Sequence, residues 1–442
     1  MVDSLSQLYV EHHRALRDRY AAGLDRGPWA GAIVASGQPA PIFGDDQPHP
    51  YRVDPRFRQW IPEGDYENSY VLVRRGDRPQ LICCRSEDYW HAPAPEPAGF
   101  WADHFDIAPV ATSAEAERAL PRDIDKWAYL GDPSFCPSGL PIECVNPAAL
   151  VQSLDYYRVY KNDYEVACIR QASRVAAAGH LAARAAFEDG ASELDIHLAY
   201  LAATRVLERQ LPYANIVALN EHGATLHYDA LETAPPAVPV SLLIDAGAQY
   251  LGYAADITRT WSKDKEFSEL VARVDEAQQR LIDRIAVGMS FVDLHLEMHI
   301  MIGAVLAEAG LVAMSPESMV EAGVTSAFFP HGLGHHLGLQ VHDVGGKLAD
   351  DSGTPLAQPE GHPFLRNLRP LEPGNVITIE PGLYFIRPLL EALRSGSSAS
   401  QVRWDRVESY LPFGGVRVED DVFISKNGVE NLTRDAFLAL EE

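Results

Sequence analysis

Four short runs of apolar and β-branched residues in the second half of this 442-residue chain each carry an acid: SLLIDAG (Ser241 to Gly247), YAADITRTW (Tyr253 to Trp261), NVITIEPG (Asn375 to Gly382) and GVRVEDDVFI (Gly415 to Ile424). Runs of this composition read as buried β-strands. A carboxylate among such neighbours is costly to ionise unless it meets a donor, a cation or a metal ion. The fold must therefore either turn Asp245, Asp256, Glu380 and Glu419 to solvent, the usual fate of an acid at a strand end, or gather them around positive charge. Asp256 is expected within its strand, where the period of two puts it on one face with Thr258 and Thr260. Both aspartates then look into one space across a hairpin.

The rest of the chain supplies the frame for these strands. Leu270, Val274, Ala277, Leu281 and Ile285 recur at spacings of three and four, the mark of a buried helical face. A second, Ala-rich helical pattern runs from Tyr164 to about Phe187. In the first half GAIVAS from Gly31 and KWAYLGD ending at Asp132 read as strands, and Ser69 to Cys84 reads as a hairpin turning at Gly76 and Asp77. The polar, aromatic stretch SLDYYRVYKND, around Leu154 to Tyr164, separates the two halves. The expectation is an α/β (α+β) chain with an N-terminal domain over residues 1–158 and a second domain over 159–442, a division in keeping with a length beyond what one core usually serves. SGSSAS near Ser395 is expected to be a flexible loop.

Composition excludes several function classes. A formal net charge of −25, from 62 acids against 37 Lys and Arg, repels phosphate backbones and anionic membranes, so neither nucleic acid nor membrane is an expected partner. The five cysteines form neither a paired framework nor a CxxC motif and are expected as buried free thiols. With no apolar leader or spanning segment in view, a cytoplasmic setting is the expectation.

A fifth element, HGLGHHLGLQVHD from His331 to Asp343, places histidines at 331, 335, 336 and 342 among glycines that permit close backbone approach. Its glycine spacing is not the GxGxxG of a nucleotide loop. Two aspartates, two glutamates and a histidine offer hard ligation without thiolate, which suits Mn²⁺, Mg²⁺, Co²⁺ or Fe²⁺. Four carboxylates are neutralised by two divalent ions, which predicts a pair.

At these residues the sequence resembles the bacterial Xaa-Pro dipeptidases, or prolidases, of the pita-bread metallopeptidase family, a group that includes the organophosphorus acid anhydrolases. IDAG at Asp245, ADITRTW at Asp256, HGLGHHLGLQVHD, TIEPGLYFI at Glu380 and PFGGVRVEDD at Glu419 carry the resemblance, which runs over nearly the whole chain. It implies a pita-bread catalytic domain behind a smaller α/β domain. It also implies hydrolysis of Xaa-Pro dipeptides by two divalent ions per subunit, with Mn²⁺ first and Co²⁺, Fe²⁺, Mg²⁺ or Zn²⁺ as alternatives. By the same resemblance Asp245 binds one ion, His335 and Glu380 bind the other, and Asp256 and Glu419 bridge them. Glu380 would relay the proton of the attacking water. His227, His331 and His342 would surround the substrate, with His342 and His227 on the tetrahedral intermediate.

Arg417, two residues before Glu419 and so on its face, would take the substrate carboxylate, its plain structural role being a salt bridge to a nearby acid. Near the start, FGDDQPHPYRVDPRF matches the segment that reaches a partner's site, so the resemblance implies a homodimer in which Asp46 meets the substrate amine, with Tyr213 close by. His336 stands where relatives carry proline or histidine, and Leu333 replaces a common isoleucine. Two rival readings are a metal-free binding protein on the same fold and a hydrolase acting mainly on phosphotriesters.

Overall fold

The computed structural model describes residues 2–87 and 89–441. The chain divides into two compact units. The first comprises Met1–Ala167 with Leu348–Pro355, and the second Cys168–Lys347 with Leu356–Glu442.

The first unit is built on a five-stranded mixed sheet of β1 (Gly31–Ala35), β2 (Tyr70–Val73), β3 (Gln80–Cys84), β4 (Asp106–Val110) and β5 (Trp127–Leu130), in the order β4-β3-β2-β1-β5. The expected strands at Gly31 and before Asp132 form, and they pair in parallel. The hairpin also forms, with Tyr70 opposite Ile82 and Gly76 at a φ of 77°, a left-handed turn conformation that glycine adopts without strain. Cys83, Cys84, Cys144 and Cys168 are buried and Cys136 is half-buried, none of them in a disulfide. No described helix is long and apolar enough to cross a membrane.

In the second unit, β6 (Ile216–Leu219), β7 (Ser241–Asp245) and β10 (Thr258–Ser262) make an antiparallel sheet in the order β10-β7-β6. The short β8 (Gln249–Tyr250) and β9 (Tyr253–Ala254) form a ribbon between the last two. Then β11 (Val376–Ile379) pairs with β14 (Asp420–Ser425), which pairs with β15 (Gly428–Asn431), and β12 (Gly382–Tyr384) pairs with β13 (Gly415–Arg417). The helix Lys265–Ile282 packs on these strands and Phe291–Glu308 packs on that helix, and Leu270, Val274, Ala277, Leu281 and Ile285 all lie in the core, Ile285 three residues beyond its helix. The Ala-rich pattern is the helix Asp163–Glu188.

Three expectations change. The run from Tyr253 to Trp261 is not one strand: it breaks at 255–257, and Asp256 sits in the break, because its backbone N–H leaves the ladder for the Asp421 carboxylate, 3.2 Å away. The run from Gly415 to Ile424 likewise splits, since β13 and β14 take different partners and Val418 and Glu419 form the switch between them. SGSSAS is a compact turn rather than a loose loop: Ser395 caps the helix Arg387–Arg394, and the 3₁₀ turn Ala399–Gln401 accepts the Trp404 indole N–H at its Ala399 carbonyl.

Candidate metal centre

Each of the four acids occupies the end or an interruption of a strand. Asp245 closes β7 opposite Thr258, Glu380 follows β11, and Asp256 and Glu419 lie in the breaks just described. Glu419 is drawn beside β10 by a backbone bridge, its N–H donating to the Thr258 carbonyl at 3.0 Å. The histidine segment lies against β11: the Glu380 N–H donates to the Leu333 carbonyl at 2.8 Å and the Thr378 N–H to the His335 carbonyl at 2.9 Å. Gly334 makes that approach possible, for a Cβ there would fall 2.0 Å from the Thr378 carbonyl oxygen.

These pairings gather the five side chains. His335 Nε2 lies 3.3 Å from Asp256 Oδ2, 3.7 Å from Glu380 Oε1 and 3.9 Å from Glu419 Oε1. Its Nδ1 donates to the His336 carbonyl at 3.0 Å, so Nε2 is the atom turned to the carboxylates; although burial opposes it, those acids raise the ring's pKa and favour a proton on Nε2, the place a cation would take. Metal–ligand bonds of about 2.0–2.2 Å put neighbouring donors roughly 3–3.5 Å apart, a spacing the Asp256 pair meets at 3.3 Å and the Glu380 and Glu419 pairs exceed slightly at 3.7 and 3.9 Å. Asp245 is reached through Tyr213, whose hydroxyl lies 2.7 Å from Asp245 Oδ1 and 2.6 Å from Asp256 Oδ1.

The charge balance asks for a cation. Burial pushes the carboxyls of Asp245 and Glu380 up, the latter to about 7, and Glu419 well above the usual carboxylate range, with the neighbouring acids adding to the effect. Asp256 moves down: its burial is outweighed by the hydrogen bond and charge of His335 together with the Tyr213 hydroxyl and His342. Against the four acids stand Arg417, which pairs with Asp245, and His335, which faces the other three. Two divalent ions would supply the missing charge, and the oxygen-rich donor set fits them.

Arg417 is placed by β13 against this cluster. Its Nη2 donates to Asp245 Oδ2 at 2.7 Å, its Nη1 to the Tyr384 hydroxyl at 3.0 Å and its Nε to Thr258 Oγ1 at 3.1 Å. Thr258 Oγ1 in turn donates to Glu419 Oε2 at 3.0 Å. His331 Nδ1 is 2.9 Å from the Gly332 carbonyl and Nε2 is 2.9 Å from the Tyr384 hydroxyl, an arrangement met by a neutral ring that donates from Nδ1 and accepts at Nε2. Burial, with Arg417 nearby, pulls its pKa down to about 3, in keeping with that neutral form. His342 meets His335 edge-on with ring centroids 4.5 Å apart. His227 is exposed on the turn after Ala224, within electrostatic reach of His331 and His342. Asp46 belongs to the first unit, in an exposed bend, and is not among the gathered residues of the second.

Residues 167–426 match metallopeptidase family M24, and residues 7–156 match the N-terminal domain of Xaa-Pro dipeptidase. This chain belongs to the M24 metallopeptidases. The Xaa-Pro dipeptidase of Shewanella halifaxensis (strain HAW-EB4) is 44% identical over 435 residues, 98% of this chain and 99% of that protein. That of Shewanella sp. (strain W3-18-1) is 44% identical over 439 residues, 99% of this chain and 100% of its own. Among solved structures, Pseudomonas aeruginosa aminopeptidase PepP has a TM-score of 0.69 at 24% identity, covering 99% of this chain and 98% of its own. Escherichia coli aminopeptidase P with the inhibitor Pro-Leu has a TM-score of 0.68 at 21% identity, covering 99% of each chain. The fold of this M24 enzyme is thus the pita-bread fold with a separate N-terminal domain, as the motifs implied.

Several residues that shape the M24 site had no signal of their own in the sequence. Tyr384 links Arg417 to His331, and Asp421 holds the Asp256 backbone while Ser173 donates to its Oδ2 at 3.2 Å. Glu193, buried on the helix Glu193–Thr204, accepts from the N–H groups of Leu219 and Glu232, both at 2.8 Å, and from the Tyr228 hydroxyl at 2.6 Å, so it ties down the turn that carries His227. An acid directly after a capping serine looks like an ordinary helix start, and only the folded turn reveals its second use.

Proposed function

We propose that this M24 enzyme hydrolyses Xaa-Pro dipeptides with two divalent cations, Mn²⁺ foremost, held by Asp245, Asp256, His335, Glu380 and Glu419. The observation that carries the reading is the convergence of Asp256, Glu380 and Glu419 within 3.9 Å of one imidazole nitrogen. Asp256 turns one oxygen to His335 and shares the other with Asp245 through Tyr213, the disposition asked of a ligand that serves two ions. This supports a bridging part for Asp256 and Glu419, with Asp245 on one ion and His335 and Glu380 on the other.

Bound there, the ion pair supplies an acidified water and a Lewis acid for the scissile carbonyl. Glu380 would accept the proton of the attacking water and pass it to the proline nitrogen as the C–N bond breaks. His342 and His227 donate to the oxygen that gains charge. His331 stays neutral and, through Tyr384, keeps Arg417 in register. Arg417 holds Asp245 as a carboxylate, a part that its three bonds support more directly than capture of the substrate carboxylate.

A dipeptide also presents an ammonium, and the four acids of the site are committed to cations. Asp46, supplied by a partner in a homodimer, is proposed for that group. A cytoplasmic setting is in keeping with the free thiols. The testing experiment is a panel of Ala-Pro, Leu-Pro, Ala-Ala, Ala-Pro-Ala and a phosphotriester with Mn²⁺-reconstituted protein. Xaa-Pro dipeptides are expected to be cleaved at least tenfold better than the rest by kcat/KM. Preference for the tripeptide would make it an aminopeptidase, preference for the triester a phosphotriesterase, and no turnover of any with both ions bound would favour a binding protein.

A further inference from the structure

Away from the carboxylate centre, the helix Phe291–Glu308 carries His295 and His299 four residues apart, so both rings leave the same helical face. Both are 1% exposed. The segment after Leu356 brings His362 to them, half-buried, and one imidazole nitrogen from each of the three lies within 4.8 Å of the others. The rings surround a common point, with centroids 4.7 Å apart for His295 and His299, 4.6 Å for His295 and His362, and 4.8 Å for His299 and His362.

The hydrogen bonding leaves this cluster incomplete. His299 Nδ1 lies 3.0 Å from the Thr325 hydroxyl, which leaves its buried Nε2 without a partner. His295 Nε2 lies 2.8 Å from His362 Nδ1, and its buried Nδ1 also has no partner. Two orphaned imidazole nitrogens in one apolar site are costly, since a buried polar atom left unmet loses its water without replacement. Among the described residues no acid lies among the three rings to make an imidazolium favourable; burial and the neighbouring histidines hold His295 at about 2 and His299 at about 3. The lone pairs are therefore available at neutral pH.

We propose that His295, His299 and His362 form a second metal site in this chain, distinct from the carboxylate centre, that takes Zn²⁺ through three imidazoles and a water. Paired histidines at i and i+4 with a third from a loop are a sufficient donor set for a tetrahedral ion with one open position. An all-imidazole set favours Zn²⁺, Cu²⁺ or Ni²⁺, whereas the carboxylate set suits Mn²⁺, so the two sites select different ions. Thr325 acts as the outer partner that orients His299. The ion fastens the segment bearing His362 to the helix. Phe329 packs on His299 at 4.8 Å and on His331 at 4.9 Å, so the clasp also backs the segment that leads to the carboxylate centre.

The test uses full-length, chelator-stripped protein in an Asp256→Asn background, which weakens the carboxylate centre and leaves the histidines intact. After dialysis against Zn²⁺, Asp256→Asn is expected to retain one equivalent of Zn²⁺ that the added His362→Ala or His299→Ala removes. Zn²⁺ should raise the melting midpoint of Asp256→Asn and not that of the double variants. Equal Zn²⁺ content with and without His362 overturns the site. Should His299→Ala disturb the helix by circular dichroism, the half-buried His362 variant decides alone. Cu²⁺ bound to Asp256→Asn reads the ligands directly: superhyperfine structure from three nitrogens supports the site, and an oxygen-only spectrum refutes it.

Discussion

Replacing Arg417 by methionine separates two roles that predict different kinetics. The side chain keeps its stem and loses the donors to Asp245 at 2.7 Å, Tyr384 at 3.0 Å and Thr258 at 3.1 Å. Arg417 and Asp245 are almost out of solvent, with side chains 6% and 13% exposed. Removing one member of such a buried pair costs about 3–5 kcal/mol, most of it the penalty of stranding the other charge. Asp245 can escape the penalty by taking a proton, and its carboxyl, already pushed up by burial, would rise further without the guanidinium. A protonated ligand must be deprotonated before it binds an ion, so about 3 kcal/mol of this cost would appear as roughly hundredfold weaker Mn²⁺ binding. Part is recovered as the ion replaces the lost positive charge, which sets the expectation at ten- to hundredfold. The assay is Mn²⁺ titration of activity for Arg417→Met and wild type, using Ala-Pro and its C-terminal amide. If Arg417 holds Asp245, Mn²⁺ affinity falls and the ratio of acid to amide turnover at saturating Mn²⁺ stays near the wild-type value. Unchanged Mn²⁺ affinity with loss confined to the free acid would refute this reasoning and assign the fork to the substrate carboxylate.

Three further predictions follow from the same geometry. Tyr213→Phe removes the hydroxyl shared by Asp245 and Asp256; the loss of a hydrogen bond to a charged group, about 1.5–3 kcal/mol, should lower kcat/KM for Ala-Pro about ten- to hundredfold, and an unchanged value would show that the hydroxyl is idle. Burial opposes ionisation of Asp420, yet Arg259 and Arg434 outweigh it and hold the carboxyl at about 2, so this group stabilises the fold above its ordinary pKa and the contribution is lost as pH falls from about 4 through 2. Asp420→Asn should therefore cost roughly 2 kcal/mol at pH 7 and flatten the acid limb of stability against pH measured by urea denaturation, and a limb parallel to wild type would contradict the assignment. Mixing inactive Asp46→Ala with inactive Asp256→Asn protein under subunit exchange should recover activity, because some mixed dimers hold one intact composite site; no recovery despite demonstrated exchange would sink the dimer proposal.

Much of the frame was legible in the sequence because it rests on local regularities. The stripe from Leu270 to Ile285 buries itself whatever lies opposite, and the hairpin at Gly76 closes on the conformational freedom of that glycine. Acids lodged in apolar runs marked Asp245, Asp256, Glu380 and Glu419, since the cost of burying a carboxylate depends on its neighbours in the chain. Tertiary structure decided how those acids are presented. Asp256 and Glu419 leave their strands only because Asp421 captures the Asp256 amide and because β13 and β14 take different partners. The commitment of Arg417 to Asp245 was equally out of reach, as those residues stand 172 positions apart and local pattern cannot say which acid a guanidinium will meet. Nothing in the chain pattern set His295 and His299 apart, and folding alone brings His362 beside them. Chain neighbours set what a residue costs to bury, whereas its partners are set by the packing of segments distant in sequence.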